Sequence, residues 1–218
     1  MSERPDSLPL PAIPFSSWLR SVQTALAEEQ PADVPCGECN ACCRTSHVIH
    51  VRSEERRARS RIPRRFLLPA PGLPPGNLVL GYDGHGCCPM LVGGRCTIYD
   101  DRPLACRTYD CRIYAAADLA ADRAAIGEQV ERWRFSHPSR EDLDRHAAVR
   151  AAARFIREYR QCLPSEAARR EPLRVATLAI AVHESFLGDA PRATRPGASD
   201  GQRARAVAAA NEKLFGDG

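Results

Sequence analysis

Apolar residues follow two different rhythms along this chain. From Leu119 onward they recur every three or four positions, the period of a helix with one buried face, whereas between Cys36 and Tyr114 they form short runs broken by cysteine, glycine and proline. In the later part, Leu119, Ile126, Val130 and Trp133 line one stripe. Ser139 followed by Asp142 is a capping-box variant; it predicts a helix with Leu143, Val149, Ala153, Ile156 and Tyr159 facing inward and a stop at Pro164. Pro172 to Leu187, with proline in the first turn, predicts the most apolar helix and hence the central one. Gly188 to Gly201 reads as a linker and the alanine-rich Gln202 to Phe215 as a marginal terminal helix.

The earlier part is less regular. Ser16 or Ser17 caps a helix carrying Trp18, Val22, Ala25 and Leu26 on one face and ending before Pro31, which reads as a lid on the next segment. Strand candidates are Val48 to Val51, Leu78 to Tyr82 and Cys96 to Tyr99, with the proline-rich Pro69 to Pro75 as a stiff loop between them. The pattern predicts a mainly α protein with a small cysteine-rich core and a few short strands, followed by a helical C-terminal half. Its segments are 1–35 (helix and linker), 36–114 (cysteine core), 115–187 (helices packed on the core) and 188–218 (linker and terminal helix).

Composition narrows the class. With 44% hydrophobic and 27% charged residues in 218, wholesale disorder and fibrous repeats are excluded. A net charge of +4 is too mild to indicate nucleic acid, and Lys213 is the single lysine among 31 basic residues, a coding bias more than a binding requirement. The longest apolar run, Leu173 to Leu187, is interrupted by Arg174, His183 and Glu184 and falls short of the roughly 20 residues that cross a bilayer. Met1 to Pro14 shows no export signal, so the expected compartment is the reducing cytoplasm.

Cysteine is the outlier. Nine of the ten lie between Cys36 and Cys111, a density above the roughly 8–10% that marks a cysteine framework. In a reducing compartment such clustering points to metal before disulfides. The first group is Cys36-Gly-Glu-Cys39-Asn-Ala-Cys42-Cys43. A two-residue spacing lets the chain reverse around a metal with backbone amides turned to the sulfurs, whereas adjacent Cys42 and Cys43 diverge and suit two ions or two corners of a larger site. The second group holds Cys87, Cys88, Cys96, Cys106 and Cys111. Together they suit either an iron–sulfur cluster or two four-cysteine zinc sites, and spacing alone leaves both open. Arg44, Arg95, Arg107 and Arg112 flank cysteines and Arg102 precedes Pro103, where cations would offset thiolate charge.

These residues resemble the YkgJ-type cysteine-cluster proteins, the CxxCxxCC zinc- or iron-chelating domain family. Its pattern adds to CxxCxxCC a later C-P-x-L, a C-x-I-Y-x-x-R-P-x-x-C-R and a final cysteine, and all are present here over roughly Pro35 to Arg112. The resemblance implies metal ligation by Cys36, Cys39, Cys42, Cys43, Cys88, Cys96, Cys106 and Cys111, with Ile98, Tyr99, Arg102, Pro103 and Arg107 in the connecting motif. The implied cofactor is zinc, iron or an iron–sulfur cluster, in a role of electron transfer, metal handling or sensing.

Cys87 and Cys162 fall outside that set and read as packing thiols. His47, His50 and His85 lie near the clusters but read as structural or surface residues, and His183 as a satisfied core histidine. The arginine-rich Ser53 to Arg65, opening with Glu54 and Glu55, reads as a solvated helix face; it lacks the interleaved aromatics that stack on bases. Two rival functions remain. The resemblance extends to flagellin lysine methylases, which share the cysteine domain, although no G-x-G-x-x-G follows a strand here and the balance of the reading is against an enzyme. The other rival is a zinc-stabilised module that binds nucleic acid or a protein partner.

Overall fold

The computed structural model describes residues 10–28, 30–32, 34, 36, 38–70, 72, 74–159, 163, 165–189 and 198–216. Cys162, Pro164 and most of the expected linker at 188–201 lie outside the described residues. The elements run β1 (Ile13–Pro14), α1 (Phe15–Glu28), β2 (Ile49–Val51), α2 (Arg56–Arg61), β3 (Leu67–Pro69), β4 (Leu78–Leu80), β5 (Leu91–Val92), β6 (Arg95–Cys96), α3 (Leu104–Thr108), α4 (Arg112–Ala117), α5 (Ala124–Val130), β7 (Phe135–Ser136), α6 (Arg140–Glu158), α7 (Glu166–Arg170), α8 (Pro172–Val182) and α9 (Asp200–Phe215). The protein is mainly α. Among the described residues, no helix is long and apolar enough to cross a membrane.

The chain divides into two compact units, Met1–Gln23 with Cys111–Gly218, and Thr24–Asp110. The second boundary falls before Cys111 rather than after Tyr114, because α4 buries Ile113, Tyr114, Ala116 and Ala117 in the helical unit.

Within the helical unit α8 is central, as expected. Val175, Ala176, Leu178, Ala179 and Ile180 are each at most 1% exposed, and α4, α6, α7 and α9 pack on it. The expected capping box opens α6: the Asp142 amide donates to the Ser139 hydroxyl at 3.2 Å and the Ser139 amide donates to the Asp142 carboxylate at 3.0 Å. That carboxylate also accepts the Ser16 amide at 2.8 Å, which ties the start of α1 to α6. These bonds hold the Asp142 carboxyl well below its ordinary range, the Ser139 side chain contributing most. The parallel β1–β7 pair adds to the same tie, so the first turns of α1, expected to belong to a lid over the cysteine segment, are built into the helical unit.

Three expectations for this unit need correction. Leu143 is 48% exposed, since the buried face of α6 runs through Asp142, His146, Val149, Ala153 and Ile156. The single stripe from Leu119 to Trp133 is interrupted: Asp118, at φ 57°, ends α4 in the left-handed region, and α5 starts only at Ala124. His183 is buried as expected and its Nδ1 meets the Ile180 carbonyl at 2.9 Å, but among the described residues its Nε2 has no hydrogen-bond partner.

His146 makes stability depend on pH. Its ring is 7% exposed and stacks on Phe15 with centroids 4.1 Å apart. Burial, followed by the charges of Arg150 and His137, pushes its pKa down to about 3, against the pull of the Ala116 carbonyl. Below about pH 6.5 the unfolded chain takes up a proton that the folded ring refuses, so stability is lost as pH falls from 6.5 toward 3. Urea titrations should show a loss of about 2 kcal/mol from this residue between about pH 6.5 and 5. His183, also pushed down by burial, adds in the same direction. His146→Phe, which keeps a ring against Phe15, should remove its share of the slope, and an unchanged slope would contradict the assignment.

In the 24–110 unit, a three-stranded antiparallel sheet of order β2–β4–β3 carries a small core of Val51, Ile62, Leu80, Met90 and Ile98. Val48, expected in the first strand, is 74% exposed and precedes it. The expected strand from Cys96 to Tyr99 is corrected too: β6 ends at Cys96 and a 3-10 turn occupies Tyr99–Asp101. Gly93 and Gly94, at φ 57° and 80°, form the two-residue turn that pairs β5 with β6. Helix α2 presents Arg56, Arg57 and Arg61 to solvent, in line with a solvated face.

Candidate metal centre

The first cysteine group occupies the turns before β2. The Cys39 amide donates to the Cys36 carbonyl at 2.8 Å and the Cys43 amide to the Asn40 carbonyl at 3.0 Å, so the chain reverses twice within the motif, with Cys42 and Cys43 in a 3-10 turn at Ala41–Arg44. The second group is bonded to the first. Cys88 donates its amide to the Cys43 carbonyl at 2.7 Å, and the Asn40 side chain donates to the Gly94 carbonyl at 3.1 Å. The Ser46 amide and hydroxyl both reach the Gly86 carbonyl. Gly86 has φ 75°, and a Cβ there would stand 2.6 Å from the Ser46 hydroxyl oxygen, so glycine is required at this junction.

Cys88 and Cys96 pack against the small core of the unit, and Cys106 sits in α3. Glu55 fixes α3 through its Leu104 amide, at 2.5 Å, and faces Arg107 at 3.9 Å. Cys111 belongs to the other unit, at the N-terminal cap of α4, where the Trp133 indole donates to its sulfur at 3.3 Å.

The thiols from the two groups act on one another. Burial, then the charges of Cys39 and Cys42, push Cys36 up to about 11, with Asp110 adding and Arg102 opposing. Burial, then Cys42, Cys88 and Cys96, push Cys106 up to about 12, again against Arg102. Burial is also the main cause at Cys88; Cys96 and Cys42 add to it, while the Met90 and Leu91 amides favour the ionised sulfur. Cys42 and Cys43 share a hydrogen bond that lowers Cys42 and raises Cys43, and burial together with Cys42, Cys88 and Cys96 raises Cys43 further. Among the described residues no disulfide joins the nine cysteines. Among the described residues, no three Cys, His, Asp or Glu side chains already stand together as a set that could hold a metal ion.

The flanking arginines are not equivalent. Arg102 is the cation that favours ionisation of Cys36, Cys42 and Cys106, and it lies over the Tyr99 ring at 3.8 Å. Arg95 instead pairs with Glu38 at 3.0 Å on the surface, and Arg112 lies over the Trp133 ring in the helical unit. Cys87 sits in a turn closed by Asp83, whose carboxylate accepts the Cys87 amide at 2.9 Å. His50 bonds Asn77 at 2.9 Å, His47 packs against Tyr109 and His85 is exposed, all three in structural or surface positions.

The donor chemistry suits a thiophilic cation. Partly buried thiols that influence one another resist ionising because each thiolate repels the next, and a positive ion among them reverses that balance. The Met90 and Leu91 amides next to Cys88 favour its ionised form, and the Leu91 amide donates to the Cys88 carbonyl at 2.9 Å. Compared with known proteins, the chain matches no family model, no curated protein and no solved structure.

Proposed function

We propose that the cysteine-rich 24–110 unit is a metal-stabilised core that binds zinc, iron or an iron–sulfur cluster through thiolates, and that the helical unit serves as its scaffold. Cys36, Cys39, Cys42, Cys43, Cys88, Cys96 and Cys106 are the donors this unit supplies, and Cys111 is the eighth cysteine of the motif. The observation that carries the reading is the junction of the two cysteine groups, where the Cys88 amide donates to the Cys43 carbonyl at 2.7 Å and the Asn40 side chain donates to the Gly94 carbonyl at 3.1 Å. Zinc bound there acts as a structural brace, whereas an iron–sulfur cluster adds one-electron transfer. The chain's own residues set the conditions. Arg102 favours the ionised sulfurs, the Met90 and Leu91 amides favour ionised Cys88, and Cys88 and Cys96 pack against the small apolar core of the unit.

Protein purified without oxygen should carry stoichiometric iron or zinc, and visible absorption separates a cluster from colourless zinc. Cys88→Ser combined with Cys106→Ser should lose the metal, while Cys87→Ser should keep it. A metal-free protein with native circular dichroism, or equal loss from Cys87→Ser, would contradict the assignment.

A further inference from the structure

The helical unit contains a cavity of about 500 Å³ whose lining includes Tyr114, Trp133, Phe135, His137, His146 and Arg150. This volume lies within the roughly 300–1,000 Å³ typical of small-molecule sites. Its apolar side includes Leu119, Val130 and the rings of Trp133 and Phe135. Phe135 packs edge-on to Phe15 and to His146, and the Trp133 ring is fixed through its indole bond to the Cys111 sulfur.

The polar side is specific. Among the described residues the buried Arg150 Nε has no hydrogen-bond partner and Arg150 forms no ion pair. Arg134, the other lining cation, already donates to the carbonyls of Glu131 and Trp133. Asp118 is exposed and, among the described residues, makes no ion pair with Arg150. The His137 and His146 rings are bonded to each other at 2.7 Å. His146, held neutral at physiological pH, adds no positive charge to the pocket. One cation with unused donors beside flat apolar walls fits a monoanion attached to a ring better than a phosphate, which calls for several donors.

We propose that this cavity binds a small organic carboxylate bearing an aromatic ring, with Arg150 receiving the carboxylate and Trp133 and Phe135 receiving the ring. The site lies within the helical unit and uses none of the seven motif cysteines of the 24–110 unit.

The test is calorimetry on the full chain with three probes: phenylpropanoate, its neutral counterpart phenylpropanol, and acetate. Phenylpropanoate should bind at least about tenfold more tightly than the alcohol, as a charge-assisted hydrogen bond implies, and acetate should not bind. Arg150→Met should remove that about tenfold preference and leave the alcohol unaffected. Val130→Trp, which fills the cavity from α5, should abolish binding of both ring compounds with circular dichroism unchanged. Equal binding of acid and alcohol by the native chain, no binding of the acid, or an undiminished preference in Arg150→Met would overturn the proposal. The native-chain comparison decides the matter even if a variant fails to fold.

Discussion

Stripping the metal under anaerobic, reducing conditions is expected to unfold the 24–110 unit while the helical unit stays intact. Structural zinc binding contributes roughly 10–16 kcal/mol in small peptides, and a whole domain is usually stable by only about 5–15 kcal/mol. The core of this unit rests on five buried side chains, Val51, Ile62, Leu80, Met90 and Ile98, which is a small apolar reserve for its length. Limited proteolysis after chelation should therefore cut at arginines of α2 and around β3 and spare α6 and α8. Competing zinc or iron added back should restore protection. An unchanged cleavage pattern after complete demetallation would show that the unit folds on its sheet and turns alone.

Leu178→Ala should produce the largest loss in the other unit. Leu178 is fully buried in α8, with Ile156 of α6 also fully buried. Removing its isobutyl group costs the transfer free energy and leaves a cavity in a closely packed layer, together about 2–5 kcal/mol. For a chain of this size each kcal/mol lowers the melting temperature by about 2–4 °C. Differential scanning calorimetry should show the helical transition shifted down accordingly, with metal content unaltered. Loss of metal from Leu178→Ala would mean that the two units do not melt separately.

The sequence was most informative where local chemistry decides the outcome. Ser139 and Asp142 announced α6, and the mostly apolar stretch that opens at Pro172 announced α8 as the buried centre. Where tertiary contacts decide, it misled. Counting only apolar residues placed Leu143 on the inner face of α6, but the turn that faces inward carries Asp142 and His146, which are buried because they find bonds and ring partners across the fold. The Gly93-Gly94 pair is a hairpin signal in the sequence, and the turn it forms outweighs the apolar run after Cys96.

For the candidate centre, the cysteine spacing pointed to two groups acting together, and the bonds from Cys88 to Cys43 and from Asn40 to Gly94 bring those groups into one unit. The place of Cys111 in the helical unit was not legible, since its neighbours in sequence are cysteine-core residues while its sulfur meets Trp133. The His137, His146 and Arg150 cluster had no motif. Its one sequence signal is the pair His146 and Arg150, one helical turn apart on the stripe that should have been apolar.

X-ray absorption at the zinc or iron edge of the anaerobically purified chain tests the central claim most directly. The account predicts a first shell of sulfur alone at about 2.3 Å, lost when Cys88 and Cys106 are both changed to serine. A shell of oxygen and nitrogen, or sulfur ligation that survives those changes, would contradict it.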